Sequence, residues 1–149
     1  MSVGEYCNRE VVVAKRSESV REAVHLMRKH HVGSVVVVEK RGDTSLPVGI
    51  LTDRDIVIEV MAEDVDPAKV SIGDIMSSDP VTVAESATLL DALEIMRKQG
   101  VRRVLVVNAK GLLLGMLAVD DLLELLGEQV GALVELIRTE QKHERTLRD

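Results

Sequence analysis

The stretch GILTDRD, residues 49–55, sets the hydroxyl of Thr52 and the carboxylate of Asp55 three residues apart, where an aliphatic run gives way to an apolar helical pattern. Two chemistries fit that spacing. Threonine and aspartate at S/T-x-x-D separation cap a helix, each side chain closing on a backbone N–H near the other, for about 1 kcal/mol. The same groups can meet a ligand. A carboxylate accepts from two adjacent sugar hydroxyls, while the threonine hydroxyl and the unpaired N–H groups of a helix start donate to an anion. Asp55 lies one turn inside the helix, so both side chains can face one cleft. The junction is therefore either a capped helix alone or also the rim of a nucleotide pocket.

Other reactive constellations are weaker. There is no G-x-x-x-x-G-K-[ST] sequence, which leaves ATP hydrolysis of the P-loop type without its phosphate cradle. His30 and His31 are sequential, so their side chains diverge on a helix, and no cysteine or spaced histidine completes a metal set. With His25 they read as surface residues near a helix C-terminus, where positive charge is favourable. Arg28 and Lys29, repeated as Arg97 and Lys98, read as a solvated face. Cys7 is the one cysteine, excluding an intrachain disulfide and a multi-thiol site; it reads as a small buried hydrophobe. No paired nucleophile and base can be assigned, so the chain reads as non-enzymatic.

The elements that must hold Thr52 and Asp55 are aliphatic. Hydrophobic residues make up 46% of 149, yet Tyr6 is the sole aromatic, so the core is Val, Leu, Ile, Met and Ala, with little to stack on bases. Nineteen Lys and Arg against 25 Asp and Glu give a formal charge of -6 in small mixed groups, which disfavours a nucleic-acid polymer as partner. No stretch approaches the roughly 18 apolar residues of a membrane span, and the expectation is a soluble, cytoplasmic protein without a membrane partner.

The chain is one unit written twice. Residues from Val3 align without a gap on those from Ile72, pairing Gly4 with Gly73, Ala23 with Ala92 and the MRK at Met27 with the MRK at Met96. Past the first long strand the first copy has a hairpin three residues longer, KRGDTSLP against AKGLL, after which Gly49 matches Gly115 and Asp55 matches Asp121. Each copy predicts a short extended segment (VVVA or VTV) and a helix capped by Ser19 with Glu22 or Thr88 with Asp91. That helix has an apolar stripe: Val20, Ala23, Val24 and Met27, or Leu89, Ala92, Leu93 and Met96. Then come a strand buried on both faces (SVVVV or RVLVV), a shorter strand (VGIL or LGML), and a second helix starting near Asp53 or Asp120. One such unit cannot cover its own apolar sheet face; two paired about a pseudo-twofold axis can, leaving clefts lined by matching elements of each.

The polar segment between copies, with Pro67 and Pro80, reads as connector and lead-in, not as a flexible tether. After the second copy the helical pattern continues, with a break expected near Gly127. Leu126, Val130, Leu133, Val134 and Ile137 form a stripe that either covers the module's own core or is a self-association or partner surface.

The duplicated pattern, above all GILTDRD against GMLAVDD, resembles the cystathionine beta-synthase (CBS) domain in a tandem pair, or Bateman module, from about Val3 to about Leu126. The resemblance implies an α/β fold: a tandem pair of CBS domains about a pseudo-twofold axis, small sheets packed together with flanking helices. The domains would be residues 1–69 and 70–126, with a helical extension at 127–149. It implies a non-enzymatic regulatory or sensor module, a homodimer, that binds an adenine nucleotide (AMP, ADP or ATP) or S-adenosylmethionine in the inter-repeat cleft, needs no catalytic cofactor, and acts on an unidentified target protein. The other reading is a dimerisation or protein-docking module without nucleotide.

By matching position the resemblance puts Asp55 on a ribose and Thr52 near the first phosphate, with the facing wall from Thr82, Val83, Val101, Arg102, Arg103 and Val104. The valines Val83, Val101 and Val104 would cover the base, and an arginine would meet phosphate. In a second cleft Asp121 keeps the ribose position, but Ala118 replaces the threonine, and the wall would come from Val13, Ala14, Ser17, Val32, Gly33 and Ser34. Gly33 stands where Arg102 stands in the other copy, so the two clefts are expected to be inequivalent. A proline common in the family at the strand entrances is replaced by Val35 and Val104.

Overall fold

The computed structural model describes residues 1–148. The first repeat runs α1 (Val3–Tyr6), β1 (Val13–Ala14), α2 (Val20–His30), β2 (Ser34–Arg41), β3 (Thr44–Thr52) and α3 (Asp53–Ile56), which continues as a π-helical stretch, Val57–Met61. The second runs α4 (Ile72–Ile75), β4 (Ser77–Ser78), β5 (Thr82–Ala84), α5 (Leu89–Gln99), β6 (Arg103–Val107), β7 (Leu113–Ala118) and α6 (Val119–Arg148). Residues Met1–Leu117 form one compact unit, and a second begins at Ala118.

Both capped helices form where the apolar spacing predicts them. Ser19 accepts the Glu22 N–H at 3.2 Å ahead of α2. Thr88 and Asp91 close a reciprocal box ahead of α5, at 3.1 and 3.0 Å. The backbone and hydroxyl of Thr88 donate to the Asp91 carboxylate and hold its pKa below the usual carboxylate range, as Arg97 does for Glu94. Left-handed residues, His31 (φ 54) and Gly100 (φ 65), end α2 and α5. The buried stripe is Val20, Ala23 and Met27 on α2, and Ala92 and Met96 on α5; Val24 and Leu93, predicted to belong to it, lie on its exposed flank.

The strands make two sheets, ordered β1-β2-β3-β4 and β5-β6-β7. Residues 34–38 are all buried, and the pleat sends them to two cores. Val35 and Val37 join Val20, Ala23, Met27 and Leu51 beneath the helices. Val36 and Val38 pack with Leu105 of β6, flanked by Val11, Val13, Ile50, Leu113 and Met116. This second cluster draws on both repeats, so the sheets close on each other as expected. The extra residues of the first hairpin extend β2 and β3 around Gly42. The register shifts between Val37 and Val38, opposite Pro47, which has no N–H to contribute to the ladder.

Each repeat also lends its first residues to the other. The N–H groups of Val3 and Gly4 donate to the carbonyls of Ala87 and Glu85 (2.8 and 2.9 Å), while those of Ile72 and Gly73 donate to Glu18 and Arg16 (2.8 and 2.9 Å). Ile72 is fully buried in the first repeat's core. Next, β4 pairs with β3, Gly49 opposite Ser78, while Asn8 and Met116 exchange two 2.9 Å hydrogen bonds. This explains the matched glycines 49 and 115. A Cβ on Gly49 would lie 2.6 Å from Met76 Sδ and 2.8 Å from the Ser77 carbonyl oxygen. One on Gly115 would lie 2.6 Å from the Asn8 carbonyl oxygen and 2.8 Å from Cys7 Sγ. Cys7 is half-buried at that contact. The connector is held down too, with Val20 and Arg21 donating to the carbonyls of Val70 and Pro67.

The unit from Ala118 onward is α6, one helix running unbroken through Gly127 and Gly131. The expected break at Gly127 is absent, since a glycine costs a helix interior only about 1 kcal/mol and good helix formers surround it. The stripe Leu126, Val130, Leu133, Val134 and Ile137 is exposed. No helix among the described residues is long and apolar enough to cross a membrane.

Candidate functional site

Thr52 ends β3 and caps α3. Its Oγ1 accepts the Asp55 N–H at 3.1 Å, and Asp55 Oδ2 accepts the Thr52 N–H at 2.9 Å, both contacts half-buried. The capping reading of this pair is therefore realised. It uses one carboxylate oxygen of Asp55, and a hydroxyl that has accepted one hydrogen bond can still donate. The Asp53 N–H donates to the Gly33 carbonyl at 2.9 Å, and Ser34 is the Cα partner of Thr52 across the β2–β3 ladder. Gly33 and Ser34, assigned from the sequence to the second cleft, thus adjoin the first junction. The antiparallel hairpin carries that information, because pairing Gly49 with Val37 brings Thr52 level with Ser34.

Strand alternation tells which side chains share a face. Ile50 and Val36 are cross-strand partners in the inter-sheet cluster, so Thr52 and Ser34, two residues along, lie on the same face of the first sheet. On the second sheet Leu105 belongs to that cluster, which puts Arg103 on the same face, together with Thr82, the parallel partner of Leu105. Both arginines, Arg102 and Arg103, are exposed, Thr82 is exposed, and Val101 is half-buried. Val83 and Val104 are buried on the opposite face, so what they offer a ligand is main chain.

At the second junction Asp121 Oδ2 accepts the Ala118 N–H at 2.9 Å. The carboxylate half of the box persists and the hydroxyl half is missing. Of the second wall, Val13 and Val32 line a groove of about 550 Å³ with Asn8, Glu10, Val11 and His30, none of which the motifs single out. Ala14 is buried in the first repeat's core and Ser17 is exposed. The helical histidines are exposed, and among the described residues no group of three or more His, Cys, Asp or Glu is arranged to hold a metal ion.

Comparison with known proteins agrees with this architecture. The family model of the CBS domain matches residues 3–62 and 72–128, and the chain belongs to that family, as a tandem pair. A CBS domain protein, PAE2072 of Pyrobaculum aerophilum, solved in complex with AMP, is 29% identical, with a TM-score of 0.72 over 81% of this chain and 89% of that one. The CBS domain-containing protein YhcV of Bacillus subtilis is 31% identical over 81% of this chain and 82% of its own length. A Methanopyrus kandleri protein, MK0525, is 36% identical over 83% of this chain; the match spans 62% of that relative, less than two thirds of its length.

Proposed function

We propose that this chain is a regulatory module, homodimeric and cytoplasmic, that binds an adenine nucleotide of the AMP, ADP or ATP class in the cleft between its repeats and has no catalytic step of its own. Residues 1–69 and 70–126 form the two repeats, and 127–149 extend them. The observation that carries the reading is the common face: Ile50 and Leu105 pack sheet on sheet, and that face continues to Thr52 and Ser34 on one sheet and to Thr82 and Arg103 on the other. The AMP complex of PAE2072 supports the ligand class. Asp55 takes the ribose hydroxyls through its second carboxylate oxygen, and Thr52 donates to the first phosphate. One arginine of the pair Arg102 and Arg103 meets phosphate by a charge-assisted bond, Arg103 being the one on the common face, and Val101 lies against the base with the main chain of Val83 and Val104. A ligand regulates only by binding one setting of the repeats more tightly than another.

The second site, with Asp121 and Ala118, is weaker or empty, because its hydroxyl is missing. Titration calorimetry of the full chain with AMP tests the reading. We expect saturable binding that weakens at least tenfold in Asp55→Asn, with the circular dichroism spectrum unchanged; equal affinity in the variant overturns the assignment of Asp55. The alternative, a dimerisation or docking module without nucleotide, draws on the exposed apolar residues of α6. It is favoured if AMP, ADP, ATP and S-adenosylmethionine all fail to bind.

A further inference from the structure

The two repeats set the same two cations near the end of the same helix and treat them differently. On α5, Arg97 and Lys98 share one carboxylate: Arg97 Nε and Nη2 donate to Glu94 at 3.1 and 2.7 Å, and Lys98 Nζ lies 3.5 Å from Glu94 Oε1. On α2 the matching cations are Arg28 and Lys29, and the position that matches Glu94 is His25. Among the described residues neither Arg28 nor Lys29 belongs to an ion pair. Cations near a helix C-terminus offset its partial negative charge, which accounts for Arg-Lys at both ends. It does not account for the missing carboxylate on α2.

That end of α2 is also concave. Val24, His25, Arg28, Lys29 and His31 line a groove of about 640 Å³, and all five residues are exposed. Glu94 shows what an Arg-Lys pair in this setting accepts, a carboxylate bridging guanidinium and ammonium. At His25 an imidazole N–H is a further donor, and Val24 is an apolar contact beside it. The whole chain carries a formal charge of -6, so its surface at large repels an acidic partner and this end of α2 attracts one.

We propose that the C-terminal end of α2 is a docking site for an acidic segment of a partner protein. A carboxylate of that segment takes the place beside Arg28 and Lys29 that Glu94 fills beside Arg97 and Lys98, and a neighbouring apolar side chain lies on Val24. A single exposed ion pair adds little, so the affinity rests on both cations being open to the partner at once. The contact is independent of nucleotide binding.

The test uses the full chain without nucleotide and a fluorescein-labelled peptide of five Glu-Leu repeats, read by fluorescence anisotropy. The expected result is saturable binding by wild type that weakens as salt is raised. Binding should be at least tenfold weaker in His25→Glu, which restores the internal carboxylate, with the circular dichroism spectrum and AMP affinity unchanged. Two controls should stay within about threefold of wild type: His25→Gln, which keeps a donor and restores no carboxylate, and Lys110→Glu, which makes the chain more acidic at an exposed turn. Equal affinity in His25→Glu, an equal loss in Lys110→Glu, or no binding by wild type overturns the proposal. A wild type that binds sodium tripolyphosphate but not the peptide overturns it as well, and makes the groove a phosphate site.

Discussion

The two strand-to-helix junctions share a backbone and differ by one hydroxyl. At the first, Thr52 and Asp55 satisfy each other's N–H groups; at the second, Asp121 still accepts the Ala118 N–H, but Ala118 has no hydroxyl to accept the Asp121 N–H. The comparison separates what the fold needs from what a site needs. A carboxylate on the strand-end N–H is kept in both copies, as a helix start in either would require. The hydroxyl is present only at the first junction, where the Asp53 N–H also donates to the Gly33 carbonyl and Ser34 is the ladder partner of Thr52. Duplication supplies two matching frames, and a single alanine leaves the second with half of the first's capping box.

The largest effect that probes this equivalence falls on the face the repeats share. Leu105→Ala empties a fully buried site in the inter-sheet cluster and should destabilise the chain by about 3 kcal/mol, seen in denaturant unfolding as one transition moved to lower concentration. Two separate transitions would break the comparison, since the repeats would then fold independently. Next are the matched glycines. Gly115→Ala sets a methyl against a backbone oxygen and should cost about 3 kcal/mol. Gly49→Ala meets first the end of the flexible Met76 and should cost about 2 kcal/mol. Equal losses would mean that the two lead-ins are held with the same rigidity.

Smaller effects sharpen the contrast between the junctions. Thr52→Ala should lose about 1 kcal/mol of thermal stability, and Ala118→Thr should recover a similar amount by completing the second box. No gain from Ala118→Thr would show that Asp121 alone satisfies that junction. The smallest effect is electrostatic. Because its folded-state pKa is depressed, the Asp91 carboxylate stabilises α5 at neutral pH. That contribution fades as the pH falls from the ordinary carboxylate range through the lower folded value. Amide exchange should therefore show α5 loosening at its first turn more than α2, whose Ser19 cap has no reciprocal arm, as pH drops from about 5 to about 3. Equal loosening would place the cap strength elsewhere.

Much of the frame could be read from residue types. The five-residue run SVVVV is too short for a confident helix and too apolar for a half-exposed strand, so burial on two faces followed, and its valines divide between two cores. Ser19 and Thr88 marked helix starts because their hydroxyls have backbone donors three residues ahead. The exchange of lead-ins left no periodic signal, since α1 and α4 are four residues each. Its trace was the matching of Gly4 with Gly73 and Gly49 with Gly115, whose purpose only the close backbone approaches reveal. The placement of Ser34 beside Thr52 depended on hairpin register, which a bulge at Val37 and Val38 obscures. The run of α6 through Gly127 was hidden for a simpler reason: two glycines within five residues look like a stop, though each costs only about 1 kcal/mol.

The shared interior can be tested most directly through Ile72, which belongs to the second repeat by sequence and is buried in the core of the first. Native-state hydrogen exchange of Ile72→Ala should show the amides of β2 and of β6 losing protection together and by the same free energy, because the second repeat's lead-in helps to close the first. If β2 alone loses protection while β6 keeps its wild-type value, the two halves are separately stable bodies, and the cleft between them has no common foundation.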